Sequence, residues 1–424
     1  MNLEGIVGGM KILVLNAGNT LNYGSMMMIE NLVYHTLRHS DGLDIEFVVP
    51  SERPMETQDR LSKSLGKWAQ NTRAVAVPEL AGAARNRIGR GLQLFLGLPS
   101  GAPLHELARR CDLVVVLGGD DYTEDYGYRA PLLMLAQLRA LVNLGLPVLM
   151  LGQSIGPFYS WRVHVARTLL KRMSKIVARE PLTAKYLQSE LKLRNVGLAS
   201  DLALLPLCAE EQQWRAGVTV DGSYVTVVPS ELIWRYSPEP IREAYIQQMA
   251  AACKTILERL PDHKLVILPH VLAPESSDDR KAARDIATVL KENARYSRRI
   301  VVIEQPLLPY EARTIVGRSR FVVTGRMHAA ISAVACGVPP LSMAYSRKYW
   351  GIIGEQLGLS DWIVDIRFHS WEETMISLTK RMEVLLENLT DILAHIEMRL
   401  DGLRALAMEN IRELCTCMEL ARKR

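Results

Sequence analysis

The chain has 424 residues, 48% of them hydrophobic and 23% charged, with a formal net charge of +5. Such a length exceeds one ordinary domain, and the composition is that of a globular protein rather than a disordered or fibrous one, so two domains are expected. The small basic excess suits anionic ligands or a membrane surface and falls short of a nucleic-acid signature, so no nucleic-acid partner is expected.

Residues 1–10 (MNLEGIVGGM) lack a basic start followed by an apolar run and read as a preamble, not a secretory signal. From residue 11, short apolar runs alternate with amphipathic stretches. Residues 12–15, 45–49, 113–117, 147–151 and 175–178 are strand-like, and 28–37 and 161–173 are helical. Runs that are apolar on both faces and bounded by glycine or proline point to a parallel sheet covered by helices. Residues 55–105, rich in Arg, Gly and Ala, are expected to hold helices and a mobile loop at 85–91. The longest apolar tract, 132–152, is interrupted by Gln137, Arg139, Asn143 and Pro147 and is too polar to span a bilayer.

A polar, turn-rich linker at 206–222 precedes a second strand set at 224–228, 264–268, 300–303 and 320–323. Helical patterns at about 238–260, 279–293 and 309–317 separate these strands. The expected fold is therefore α/β, with two doubly wound Rossmann-like lobes, 11–205 and 206–369, facing a cleft. Ligands in such folds bind at the carboxyl ends of strands. Residues 370–424 contain no proline and one glycine. Ser370 with Glu373 forms a capping box, and Met375, Leu378, Met382, Leu385, Leu389, Ile392 and Ile396 keep a three-four spacing. One or two long C-terminal helices are expected, packed on the body or joining copies into a homo-oligomer.

Of six cysteines, only Cys415 and Cys417 are close in sequence; the other four lie in apolar runs and read as buried free thiols. That usage fits a reducing, cytoplasmic compartment. No ligand cluster shows metal spacing, so no metal is expected.

Polar residues concentrate where strands end. Asn22 and Gly24 lie in the turn 16–25, where glycine permits close backbone approach to a ligand. Asp120 and Asp121 follow Gly118-Gly119 and could take a proton from a hydroxyl or grip a sugar; a turn or cap is the plainer alternative. Gln153 and Ser154 offer neutral hydrogen bonds. Arg179 is either an anion clamp or one half of a surface ion pair with Glu180. Arg326 and His328 stand at the start of an apolar helix, where a rigid donor fork, a titratable ring and the helix dipole coincide. Lys348 adds a cation on the next strand-to-helix turn. His270 ends another strand and reads as a structural histidine.

These stretches, in this order, resemble the polysaccharide pyruvyl transferase family from about residue 11 to 359. The resemblance rests on Asn22-Tyr23-Gly24, Gly118-Gly119-Asp120, the run 152–158 (GQSIGPF), Ala178-Arg179-Glu180, Ser200-Asp201 and Thr324-Gly325-Arg326-Met327-His328-Ala329. Gly337-Val338-Pro339 and residues 345–348 complete it. The chain departs from the pattern at Ser25, where the family often has aspartate, and at Leu202, where proline often follows the aspartate.

The resemblance implies a GT-B-like fold and transfer of a pyruvyl group from phosphoenolpyruvate, as co-substrate and without other cofactor, to a sugar of a cell-surface or exopolysaccharide glycan. The product is a cyclic ketal. The acceptor would be a free or lipid-linked glycan bound by the first lobe, and a lipid-linked one would bring the protein to the inner face of a membrane. Arg326, Arg179 and Lys348 would bind phosphoenolpyruvate, His328 would act as acid, and Asp120 or Asp121 as base. Replacing Arg326 by Ala is expected to abolish that binding with the fold intact. The rival readings are a GT-B nucleotide-sugar glycosyltransferase, with Glu355 as its candidate ribose ligand, and an inactive glycan-binding or scaffolding member.

Overall fold

The structure, a computed structural model, describes residues 9–40, 42–76, 103–214 and 216–423. Most of the preamble and the expected loop at 85–91 lie outside the described residues. The chain folds into two compact units. One takes the chain up to Thr20, Met28–Leu202 and the stretch from Leu406 onward; the other takes Leu21–Met27 and Ala203–Ala405.

The first unit holds strands β1 (Met10–Leu15), β2 (Ile45–Ser51), β3 (Thr72–Ala76), β4 (Leu113–Leu117), β5 (Val148–Gln153), β6 (Lys175–Ala178) and β7 (Val196–Leu198). They form a parallel sheet in the order β3-β2-β1-β4-β5-β6-β7. Every residue of β4 and β5 is buried, which is why these strands read as unbroken apolar runs. Val114, Val116, Val148, Met150 and Ile176 build the core with Leu135, Leu138 and Leu141 of the helix Arg129–Asn143. The order reverses between β1 and β4, so the loops leaving these two strands flank the crevice where such sheets bind ligands.

The second unit repeats the plan with β8 (Tyr224–Val228), β9 (Lys264–Ile267), β10 (Ile300–Val302), β11 (Val322–Thr324), β12 (Pro340–Ala344) and β13 (Ile363–Asp365). Their order is β10-β9-β8-β11-β12-β13, again parallel, and the reversal falls between β8 and β11. Three strands escape the sequence reading, β3, β7 and β13, and all three are sheet edges; β12 is implied, without bounds, by the strand-to-helix turn that carries Lys348. Edge strands are short and half-solvated, so their apolar signal is weak. Arg73 in β3 and the three-residue β7 illustrate this.

Past Ser370 the chain forms helices Trp371–Glu387, Leu389–Ala407 and Glu409–Arg422. Ser370 Oγ accepts from the Glu373 amide at 3.2 Å, while Glu373 accepts from the Ser370 amide at 2.9 Å, the expected capping box. Met375, Leu378, Met382 and Leu385 are buried, as are Ile392 and Ile396; Leu389 is half-buried. Cys111, Cys208 and Cys253 are buried, whereas Cys336 is exposed: it ends the helix Met327–Ala335 where the chain turns through Gly337, at φ 74°.

Trp371 anchors the first of these helices. It is fully buried, its ring centroid lies 4.8 Å from that of Tyr245, and its indole N–H donates to the Glu239 carbonyl at 3.0 Å. Trp371→Ala is expected to lower stability by about 3–5 kcal/mol, the range for a large aromatic removed from a packed site, in a denaturant titration.

Candidate active site

In the second unit, the loops leaving β8, β9 and β11 converge on one carboxylate. Asp279 is wholly buried; its Oδ1 accepts from the Glu231 amide at 2.9 Å and from Arg326 Nη2 at 2.6 Å. Its Oδ2 accepts from the amides of His270 (3.3 Å) and Val271 (2.9 Å) and from Arg326 Nε (3.0 Å). Arg326 Nη2 also donates to the Ser277 carbonyl at 3.2 Å, and among the described residues Nη1 makes no hydrogen bond. Burial raises the Asp279 carboxyl pKa against the pull of Arg326 and the backbone amides. Burial likewise opposes the Arg326 charge, but Asp279 outweighs it and the guanidinium pKa is raised. Arg326, with 11% of its side chain exposed, therefore enters the site as half of a neutral pair, presenting a fixed donor edge rather than a loose charge.

His328 lies one residue inside the helix Met327–Ala335, whose N-cap position is Arg326. The motif Asn22-Tyr23-Gly24, which follows β1 in sequence, belongs to this second unit. Asn22 bridges Val271, the Tyr23 amide donates to the His270 carbonyl at 3.2 Å, and Asn22 Oδ1 caps the amide of Gly24 at 3.1 Å. The space beside Gly24 is filled by the His328 ring: a methyl group there would overlap its Cβ, Cγ and Nδ1. The glycine expected to admit a ligand thus admits a histidine.

His270 is buried beneath this motif, its ring edge-on to Tyr23 with centroids 5.3 Å apart. Among the described residues its Nε2 has no hydrogen-bond partner. Burial, then His328, Arg326 and Arg313, hold its pKa well below the usual histidine range, so it is neutral at pH 7.

Lys348 Nζ sits 5.0 Å above the Tyr345 ring and 5.8 Å from that of Tyr349. Both tyrosines also interact electrostatically with Arg326, so the two cations share one aromatic wall. Tyr345 stacks on Tyr236 at 5.1 Å, and the Tyr349 hydroxyl donates to the Gly325 carbonyl at 2.9 Å. Glu355 is exposed on the helical segment Trp350–Gln356.

The remaining expected residues belong to the first unit. Arg179, only 1% exposed, pairs through Nη1 with buried Asp201 at 2.8 Å and donates from Nε to Ser154 Oγ at 2.9 Å. The expected partner Glu180 instead caps the helix Pro181–Lys185 by accepting from the Thr183 amide at 2.9 Å. Burial opposes the Arg179 charge; Asp201 and then Asp120 outweigh it, and the pKa is raised. Gln153 is buried, its Nε2 donating to the Val116 carbonyl at 2.9 Å and the Leu151 carbonyl at 3.2 Å. Asp120 is half-buried and accepts from the Tyr126 hydroxyl, and Asp121 is exposed. The glycine-rich runs after β4 and β5 lie against each other: Ser154 N donates to the Gly119 carbonyl at 2.9 Å, and a side chain at Gly118 would strike the Gly152 carbonyl.

Sequence reasoning missed Asp279, which opens a helix in a Ser-Ser-Asp-Asp-Arg run and looks like a solvent-facing cap. Its one signal was indirect, since a strand-end arginine in apolar surroundings needs a carboxylate. No helix among the described residues is long and apolar enough to cross a membrane, and none of their His, Cys, Asp and Glu side chains gather into a metal site.

Comparisons with known proteins bear on this arrangement. A family model described as polysaccharide pyruvyl transferase matches residues 22–347. The amylovoran biosynthesis protein AmsJ of Erwinia amylovora is 23% identical over 270 residues, covering 61% of this chain and 62% of AmsJ. The matched stretch is thus under two thirds of that relative's length. Among solved structures, UDP-GlcNAc 2-epimerase of Neisseria meningitidis bound to UDP-GlcNAc superposes with a TM-score of 0.60 at 13% identity, over 96% of this chain and all of the other. A glycosyltransferase of Rickettsia africae gives 0.52 at 12% identity over 98% of each chain. At these identities the likeness is one of fold, and the two parallel sheets with flanking helices are of the GT-B-like class.

Two outcomes follow from the packing around His328. Gly24→Ala is expected to displace the imidazole and destabilise the unit by about 1–3 kcal/mol, as overpacking does, visible as a lower melting temperature. The depressed His270 pKa contributes stability that is fully present above the unfolded value of about 6.5 and is lost as pH falls toward the folded value. His270→Gln should flatten the drop in melting temperature between pH 7 and pH 5.

Proposed function

Because the chain belongs to the polysaccharide pyruvyl transferase family, we propose that it moves a pyruvyl group from phosphoenolpyruvate to a sugar of a cell-surface or exopolysaccharide glycan, closing a cyclic ketal. The observation that carries this reading is the cluster at the strand ends of the second unit. Arg326 is held rigid by Asp279 with one nitrogen uncommitted, Lys348 stands over the same two tyrosines, and His328 sits at the start of the same helix.

Phosphoenolpyruvate is a small enol carrying a carboxylate and a phosphate. The Arg326 Nη1 edge suits one carboxylate or phosphate oxygen, Lys348 adds a second cation, and the first-turn amides of the helix Met327–Ala335 add a further anion-binding end. His328 in its protonated form delivers a proton to the methylene carbon, which becomes a methyl group as C2 turns electrophilic. A sugar hydroxyl adds to C2 and gives up its proton. The C2–O bond to phosphate then breaks, the second hydroxyl closes the ring as its proton leaves, and inorganic phosphate departs. Of the two protons lost from oxygen, one replaces the proton that His328 gave to carbon and the other leaves on the phosphate, so the step balances with no cofactor beyond the co-substrate.

Pairing with Asp279 changes what an arginine replacement tests. Arg326→Ala leaves a buried carboxylate without its counter-charge, a loss of about 3–5 kcal/mol, so that variant is expected to lose stability as well as ligand. Lys348→Gln is the cleaner probe. It should weaken phosphoenolpyruvate binding by about tenfold or more, read by calorimetry, with the melting temperature unchanged. His328→Gln should keep binding while cutting acceptor-dependent phosphate release by about 100-fold or more. Phosphoenolpyruvate, and not uridine or guanosine diphosphate, should raise the wild-type melting temperature. Stabilisation by the nucleotides alone would reverse the reading in favour of a nucleotide-sugar enzyme.

A further inference from the structure

On the first unit, an exposed patch of aromatic rings and cations is carried by the segments that follow Asp121 and the run 152–158. Tyr159 and Trp161 are 54% and 58% exposed, and Tyr128 is also exposed. The segments carrying them are joined. Arg162 pairs with Glu124 through two hydrogen bonds of 2.6 and 2.7 Å, its guanidinium stands 4.9 Å from the Tyr128 ring, and the Glu124 amide donates to the Pro157 carbonyl at 3.3 Å. Leu133, exposed one turn along the helix that begins at Arg129, extends the apolar part.

The charge on the helix that follows these rings is one-sided, although Asp120, Asp121, Glu124 and Asp125 precede Tyr128 in sequence. Residues 160–178 contain no aspartate or glutamate and five lysines or arginines. Two of the five are matched, Arg162 by Glu124 and Lys175 by Glu413. Arg167, Lys171 and Arg172 are exposed and make no ion pair among the described residues. On the helix Arg162–Leu170 and its continuation, Trp161, His164, Thr168 and Lys171 fall at three- and four-residue spacing on the solvent face, while Ala166, Leu169 and Leu170 are buried in the core.

We propose that this face is a docking surface for an anionic lipid bilayer. Tyrosine and tryptophan have apolar bodies and polar tips, and settle at the headgroup level of a bilayer. Unmatched cations beside them meet the negative potential of acidic lipids, each worth roughly five-fold in partitioning. The apolar side of the helix is already spent on the protein core, so insertion is limited to the rings, and the contact is reversible and salt-sensitive. A neutral glycan stacking on the same rings would have no use for three unmatched cations, which favours lipid over sugar as the occupant. The inference stands independently of the group transferred in the second unit.

The test uses the full chain with phosphatidylcholine vesicles made with and without phosphatidylglycerol, sedimented at low and high salt. Wild type is expected to pellet with the acidic vesicles at low salt and to be released by high salt. The triple variant Arg167→Glu/Lys171→Glu/Arg172→Glu should lose on the order of 100-fold in partitioning. Tyr159→Ser/Trp161→Ser should lose several-fold. All these side chains are exposed, so both variants should keep the wild-type melting temperature and circular dichroism. Three results would each overturn the proposal: wild type remaining in the supernatant with acidic vesicles at low salt, undiminished binding by the triple variant, or retention on a neutral glycan that only the aromatic variant loses.

Discussion

The buried pair of Asp279 and Arg326 is the constraint on which the second unit's strand-end cluster depends. One carboxylate takes three amides from the loops after β8 and β9 and two guanidinium hydrogens from the loop after β11. A buried carboxylate is tolerable only when its lone pairs are satisfied and its charge is matched, and here both conditions are met by groups from different loops. The arrangement is therefore cooperative: removing any one loop leaves unsatisfied donors or an unmatched charge in the others. Arg326 gains a fixed orientation by the same means, because its planar fork cannot turn without breaking both bonds to Asp279.

The first unit solves the equivalent problem with different residues. Arg179, at the end of β6, is locked by Asp201 and Ser154, and Gln153 ties the end of β5 to the carbonyls of Val116 and Leu151. Its glycine-rich runs serve chain-to-chain approach, Gly118 against the Gly152 carbonyl, just as Gly24 in the second unit serves His328. Short polar and glycine motifs at strand ends are thus partly the means by which parallel sheets close their own loops, where backbone groups no longer have a ladder to bond. A motif can mark a site without every residue in it touching a ligand.

Much of the fold was legible because central parallel strands must be apolar on both faces. Residues 113–117 and 224–228 announce themselves, and the helix boundaries at Pro309 and Ser370 carry proline and capping signals. Three of the four edges were not legible: β7 and β13 are three residues long, and β3 carries Arg73 and is partly exposed. Nor was the transfer of Leu21–Met27 to the second unit, a matter of pairing with residues 270–272 that no local pattern encodes. Within the site, Arg326 and His328 stood out because charge beside an apolar helix is anomalous. Asp279 did not, because an aspartate opening a helix is ordinary. Its burial depends on a loop whose path the sequence does not show.

Charge limits what the second-unit cluster can hold. Asp279 cancels Arg326, and His270 is kept neutral by burial and by the cations around it. Beside them stand Lys348 over its tyrosines and His328 at the start of the helix Met327–Ala335. That is a modest set of cations and fixed donors. A small ligand with two acidic groups fits the balance, because each oxygen can meet a donor already oriented by the protein. In the proposed transfer, the least reorganisation is then asked of the site as charge moves from enol to phosphate. The neutrality of His270 has a part in this, because burying it uncharged keeps a further positive charge out of the cluster.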